Sequence, residues 1–216
     1  MSRVGREGFT DFKSAIRREW LVTNGLGGFA YGTLGGTNTR RYHGLLIAAL
    51  DPPGGRTLLV PGVGEQVDYG SQVVDLTTHE YQDGTVHPHG YRYIDSFHLD
   101  AHRPVWHFTI QDALLEKTVW MVQGENTTML RYRVLRASRR LYLRLRPLCT
   151  WRDYHSHHHG QSPFHVETEE RLLTIRPSIC DTPYYLSSSK GTRRDRLPLL
   201  FDVPSMHGRC ERSASR

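Results

Sequence analysis

The 216-residue sequence predicts an all-β fold, an antiparallel β-sandwich, with a short N-terminal helix and an irregular C-terminal tail. Two observations carry this. Leu141, Leu143 and Leu145 alternate with Tyr142, Arg144 and Arg146, a period of two that puts one face of a strand on a core. The stretches 105–110, 114–122 and 129–135 are apolar and strand-like, and the turn residues Gln111-Asp112 and Gly124-Glu125-Asn126 separate them. Connections this short leave no room for crossover helices, so the strands form an antiparallel meander.

Taken in order, Phe9, Phe12, Ile16 and Trp20 recur at helical spacing behind Thr10 or Asp11 as cap, so 1–18 is a short helix or docked arm. Residues 19–186 are the sandwich. Seven of the 20 glycines fall between Gly25 and Gly44, where the backbone must turn left-handed or pack closely. If 39–50 is one strand, Arg41 and His43 share a face with Leu45 and Ile47, while Arg40 and Tyr42 point the other way. An arginine entering such a strand needs a carboxylate or carbonyl, and Glu19 or Glu65 is the expected partner of Arg41. The Pro- and Gly-rich stretch 51–64 reads as a loop with one strand, 57–60. A charged turn at 167–171 precedes a strand at 172–175. From Ser187 the strand pattern stops, and 187–216 is expected to be a disordered or truncated basic tail.

Composition narrows the function classes. The net charge is +6, but +4 of it lies in 187–216, so the body lacks the electrostatic footprint of a nucleic-acid binder. No apolar run reaches membrane-spanning length and no signal peptide opens the chain. Cys149, Cys180 and Cys210, odd in number and widely spaced, read as thiols of a reducing cytoplasm, and a cytoplasmic location is expected.

Several chemistries lack support. Gly25-Leu26-Gly27-Gly28-Phe29-Ala30 fits G-x-G-x-x-A, but Gly32, Gly35 and Gly36 oppose a following helix and no acid stands about 20 residues on. No P-loop and no Gly-x-Ser-x-Gly elbow is present, and no cofactor is expected. The run His155-Ser156-His157-His158-His159 sits in loop-like sequence without ligands from separate elements, so no metal is expected. Acids are plentiful, yet none stands in a context that marks a glycosidase pair, and no catalytic residue is assigned. The 22 aromatic residues suit stacking on sugars, with Tyr42, Trp151 and Tyr154 available and Tyr81, Tyr91 and Tyr93, set among Gly and His, preferred.

Glu19-Trp20-Leu21-Val22-Thr23-Asn24-Gly25-Leu26-Gly27-Gly28, followed by Asn38-Thr39-Arg40-Arg41-Tyr42-His43-Gly44-Leu45-Leu46, resembles the N-terminal domain of archaeal/bacterial-type glycogen debranching enzymes (amylo-α-1,6-glucosidases). The likeness continues through Asp83-Gly84-Thr85-Val86-His87-Pro88, Gly124-Glu125-Asn126-Thr127-Thr128 and Arg152-Asp153-Tyr154-His155-Ser156, over roughly 10–186. The resemblance implies a supersandwich-like domain that precedes an (α/α)6-barrel catalytic domain, absent from this chain, which hydrolyses α-1,6 branch points of glycogen. It implies that this chain is inactive alone and that its partners are that barrel and α-glucan. Asn24, Arg40, Arg41, Tyr42 and His43 are the expected substrate or domain-interface surface, joined by Tyr81, Tyr91 and Tyr93. A stand-alone carbohydrate-binding sandwich is the alternative.

Overall fold

The computed structural model describes residues 3–156 and 164–189, and they fold into antiparallel sheets as expected. One five-stranded sheet has the order Arg3–Val4, Ile94–Asp100, Arg103–Ile110, Ala113–Met121, Thr128–Arg136, and contains the predicted meander. A second, the glycine-rich sheet, runs Arg152–Asp153, Gly54–Val60, Gly44–Asp51, Phe29–Thr33, Glu19–Thr23. Leu141–Leu148, Gly62–Tyr69 and Gln72–Asp75 make a third, and Phe164–Thr168, Leu172–Pro177 and Tyr184–Ser187 a fourth. Thr78–Glu80 and Val86–His89 form a separate hairpin.

The N-terminal helix is the short Phe12–Ile16, capped by Asp11, whose carboxylate accepts from the Ser14 amide at 3.0 Å. Trp20 belongs instead to the following strand. There it meets Trp106 edge-on, ring centroids 5.4 Å apart, so the glycine-rich sheet packs on the meander through two indoles. Gly32 allows this approach, because a Cβ there would stand 3.3 Å from the Trp20 indole nitrogen.

Three sequence expectations are corrected. Residues 39–43 are a turn, not the start of a strand; the His43 amide donates to the Arg40 carbonyl at 3.0 Å and the strand begins at Gly44. Residues 51–64 supply two strands, because Leu58, Leu59, Val60 and Val63 are all buried and the chain reverses already at Pro52–Pro53. Leu141–Leu148 leaves the meander and pairs with Gly62–Tyr69. Tyr69 fixes that departure: its buried hydroxyl donates to Asp112 at 3.0 Å and accepts from the Ser138 amide at 3.0 Å.

One pair lies at the heart of the sandwich. Glu65 is buried, with Lys117 Nζ 2.5 Å from its Oε1 and the Tyr132 hydroxyl donating to the same oxygen. Burial first, and the Glu65 charge second, hold the Tyr132 phenol well above its ordinary range. Arg41 therefore does not take Glu65. Cys149 keeps a free thiol, and Cys210 lies outside the described residues. His157–His159 and the tail from 190 lie outside the described residues.

Candidate functional site

The outer face of the glycine-rich sheet carries an open groove of about 620 Å³, with Leu21, Phe29, Tyr31, Tyr42, Arg56 and Tyr154 along it and the 25–28 turn at one end. Strand register assembles it. Leu21 pairs with Tyr31 and Thr23 with Phe29, so these side chains share the outer face while Trp20 and Ala30 face the core. Ile47 pairs with both Phe29 and Leu58 and continues the same face; Ile47 and Leu58 are buried but lie outside the main core cluster.

Asn24 builds the closed end. Its side-chain carbonyl accepts from the amides of Leu26 (2.9 Å) and Gly28 (3.0 Å), which folds 24–28 into a tight turn. Its amide donates to the Glu125 carbonyl and to Asn126 Oδ1, at 2.9 and 3.0 Å. Asn126 then copies a strand neighbour: it donates to the Ala49 carbonyl at 2.8 Å and accepts from the Ala49 amide at 3.0 Å. Asn24 is fully buried and every polar atom of its side chain is engaged, so it holds the turn and does not face a sugar. A Cβ on Gly28 would lie 2.6 Å from the Asn24 amide nitrogen, which requires glycine there. The G-x-G-x-x-A match is thus a turn between antiparallel strands.

The opposite end is built on Glu19. Its Oε1 receives Arg40 Nε at 2.6 Å and His43 Nε2 at 3.2 Å, and its Oε2 receives the Tyr31 hydroxyl at 2.5 Å. Burial works against the carboxylate charge, but the bonds from Tyr31 and Arg40 outweigh it and hold the group below its ordinary range. The partner of Glu19 is Arg40 rather than Arg41. His43 has a completely buried side chain, and burial pushes its pKa down against the pull of Glu19. The Thr39 amide donates to Nδ1 at 3.0 Å, which leaves the proton on Nε2 for Glu19.

Arg41 and Tyr42 stand above this base and face segment 152–156. Arg41 Nη1 donates to the His155 carbonyl at 2.9 Å, and Arg152 Nη2 donates back to the Arg41 carbonyl at 2.6 Å. The Tyr42 ring lies 5.3 Å from that of Tyr154, and its hydroxyl is 3.2 Å from His155 Nδ1. Arg56 covers the Tyr154 ring at 5.5 Å, donates Nη1 to the Tyr154 hydroxyl at 3.2 Å and Nε to the Gly27 carbonyl at 2.7 Å.

The sequence-predicted residues divide. Tyr42 lines the groove, Arg40 and His43 meet on Glu19 at one end of it, Arg41 bonds to His155, and Asn24 lies buried at the 24–28 turn. Tyr91 is only 4% exposed and packs against Phe12, so it offers no stacking face. Tyr93 is half-buried against the core, and Tyr81, 53% exposed, sits on the 81–85 hairpin turn and does not line the groove. Phe29, Tyr31 and Arg56 are the residues that sequence reasoning missed. The alternation Phe29-Ala30-Tyr31 after the glycines was the available signal.

Among the described residues no group of three His, Cys, Asp or Glu could hold a metal, and no helix is long and apolar enough to cross a membrane. Neither a curated protein nor a solved structure matches the chain. The sequence profile of one family, described as glycogen debranching enzyme N terminal, matches residues 18–202, a span that includes every residue of the groove and runs past residue 186. With most of its length matched, on a β-rich antiparallel fold, this chain belongs to the glycogen debranching enzyme N-terminal family.

Proposed function

We propose that the chain serves α-glucan breakdown as a noncatalytic domain, packing on an (α/α)6-barrel that carries the catalytic carboxyls and completing that barrel's substrate site. One observation carries the reading. Sequence motifs far apart in the chain meet around one groove: 40–43 and 152–156 face each other above it, and the buried Asn24 and Asn126 brace the turn at its end. That surface is braced from below and open above, with the Arg40 side chain 60% exposed.

The carboxylate at the groove supports a noncatalytic role. A glycosidase acid needs a raised pKa and a free proton path. Glu19 is instead held low and bonded to three side chains. A surface of fixed arginine and tyrosine suits orientation of a partner or substrate rather than proton transfer.

The test measures glucose release from limit dextrin by the chain, by a debranching-enzyme barrel, and by both in trans. The chain alone is expected to release none, and the mixture about tenfold more than the barrel alone. Glucose from the chain alone overturns the noncatalytic reading. Equal rates with and without the chain overturn the docking role.

A further inference from the structure

We infer that an open, polar pocket in the N-terminal arm, lined by Arg3, Arg17 and Arg18, binds the phosphate group of a small phosphorylated ligand. The pocket shares no residue with the groove, so the inference does not rest on the α-glucan reading.

Backbone bonds fix each wall. Arg3 lies on a short strand, in register with His98. The Gly8 amide donates to the Gly5 carbonyl at 3.0 Å, closing the turn whose Glu7 and Gly8 form a second wall. Arg17 caps the C-terminal end of helix Phe12–Ile16, and the Arg18 carbonyl accepts from the Leu34 amide at 2.9 Å, which ties this wall to the glycine-rich sheet. Gly8 lets the Arg18 guanidinium approach, because a Cβ there would stand 3.4 Å from Nη1. Three arginines from separate places in the arm are thus brought to one cavity.

Charge then selects the ligand. Elsewhere Arg40, Arg133, Arg144 and Arg146 each hold a carboxylate. Among the described residues the side chains of Arg3, Arg17 and Arg18 make no ion pair or hydrogen bond. Glu7 is the one acid of the described lining; its carboxylate is bonded to the Gly5 amide at 3.0 Å, and no guanidinium pairs with it. The Ser14 hydroxyl is spent on Asp11 at 2.7 Å, so the guanidiniums are the donors on offer. The Arg3 charge is also felt across the register: burial first, then the positive charges of His107 and Arg3, hold His98 below its ordinary value against the pull of Asp100 and Glu116.

Three guanidiniums facing one carboxylate leave two positive charges over. A carboxylate ligand brings a single charge and fills one arginine fork. A phosphate monoester brings close to two charges and three acceptor oxygens, which matches both the excess and the number of forks. The volume of about 220 Å³ is on the order of seven waters, more than a bare phosphate needs, and leaves room for a small polar alcohol esterified to it.

The experiment titrates inorganic phosphate and glycerol 3-phosphate into the full chain by calorimetry at low ionic strength, with glycerol and sodium chloride as blanks. Both phosphates are expected to bind with a Kd of about 1 mM. Arg17→Gln or Arg18→Gln should weaken binding about tenfold. Arg18→Lys, which keeps the charge and loses the fork, should weaken it about threefold. Arg139→Gln, at an exposed arginine outside the pocket, should leave it unchanged. As a second measurement, about 10 mM phosphate should raise the urea midpoint of the native chain and not that of the Arg17→Gln/Arg18→Gln chain, with chloride at equal ionic strength giving no rise. Absence of binding by the folded chain, native affinity in the pocket variants, a loss with Arg139→Gln as large as theirs, or an equal midpoint rise in both chains overturns the proposal. None of these results bears on the barrel mixture, so the two readings can fail separately.

Discussion

Glu19 Oε1 and His43 Nε2 lie 3.2 Å apart, from positions 24 apart in sequence, and the Thr39 amide on the far side of the ring decides which of the two carries the proton. Imidazole here is a neutral donor to a carboxylate, locked between a backbone amide and an edge strand. Protonation of Nδ1 would break the Thr39 bond and put a second positive charge near Arg40.

This fixes the sign of a pH effect. His43 is held below its ordinary value of 6.5 by burial, so below about pH 6.5 the unfolded chain binds a proton that the fold refuses. Stability falls as pH drops through that window. Glu19, lowered in the fold, contributes fully above its ordinary 4.5, and that contribution is lost as pH falls further. Urea midpoints recorded from about pH 7.5 to about pH 4 are expected to decline throughout. His43→Gln should flatten the first part of the decline, with a residual slope from His79 and His98, which burial also lowers.

Removing Asn126 tests the other end of the groove. Asn126→Ala leaves the Ala49 amide and carbonyl without their partners in a buried place and removes one of the two bonds donated by the Asn24 amide. A loss of about 2–4 kcal/mol is expected by urea denaturation.

Glycine at 28 and glycine at 54 should respond differently. Gly28→Ala drives a methyl to 2.6 and 2.8 Å from the two asparagine side chains and is expected to cost about 1–3 kcal/mol. At Gly54 the nearest atom would be the Asp51 carbonyl oxygen at 3.4 Å, and Gly54→Ala should change stability by less than about 0.5 kcal/mol.

The buried pair predicts a non-additive result. Lys117→Met strands the Glu65 carboxylate in the sandwich and is expected to cost about 3–5 kcal/mol. Adding Glu65→Gln to the same chain should restore a large part of that loss, because the uncompensated charge goes with it. Thermal unfolding of the two singles and the double measures the coupling.

The meander was legible because alternation is a local signal, and 105–110 and 129–135 carry it without help from distant residues. Pairing partners were not. Leu141–Leu148 shows its own period but nothing in it names Gly62–Tyr69; the Tyr69 hydroxyl that steers the crossover sits about seventy positions earlier. Residues 39–43 alternate like a strand, yet a side-chain acceptor on His43 favours the turn, and such competition between ring and backbone leaves no trace in a hydrophobic pattern. Residues 51–64 misled through composition: the breakers are confined to the hairpin tips, while Leu58, Leu59 and Val60 fill the interior. The groove itself draws Leu21, Phe29, Arg56 and Tyr154 from separate strands and turns, so no window of sequence contains it.

The amide of Asn24 reaches the Glu125 carbonyl across 101 positions of chain. During synthesis, then, the first strands emerge long before the loop that completes them, and the groove is a late product of folding rather than an early one. A nascent polypeptide stopped short of residue 126 would carry all the aromatic walls but Tyr154 yet lack the side chain that ties the 24–28 turn to Ala49, so the groove should take its final shape only once the two halves have closed on each other.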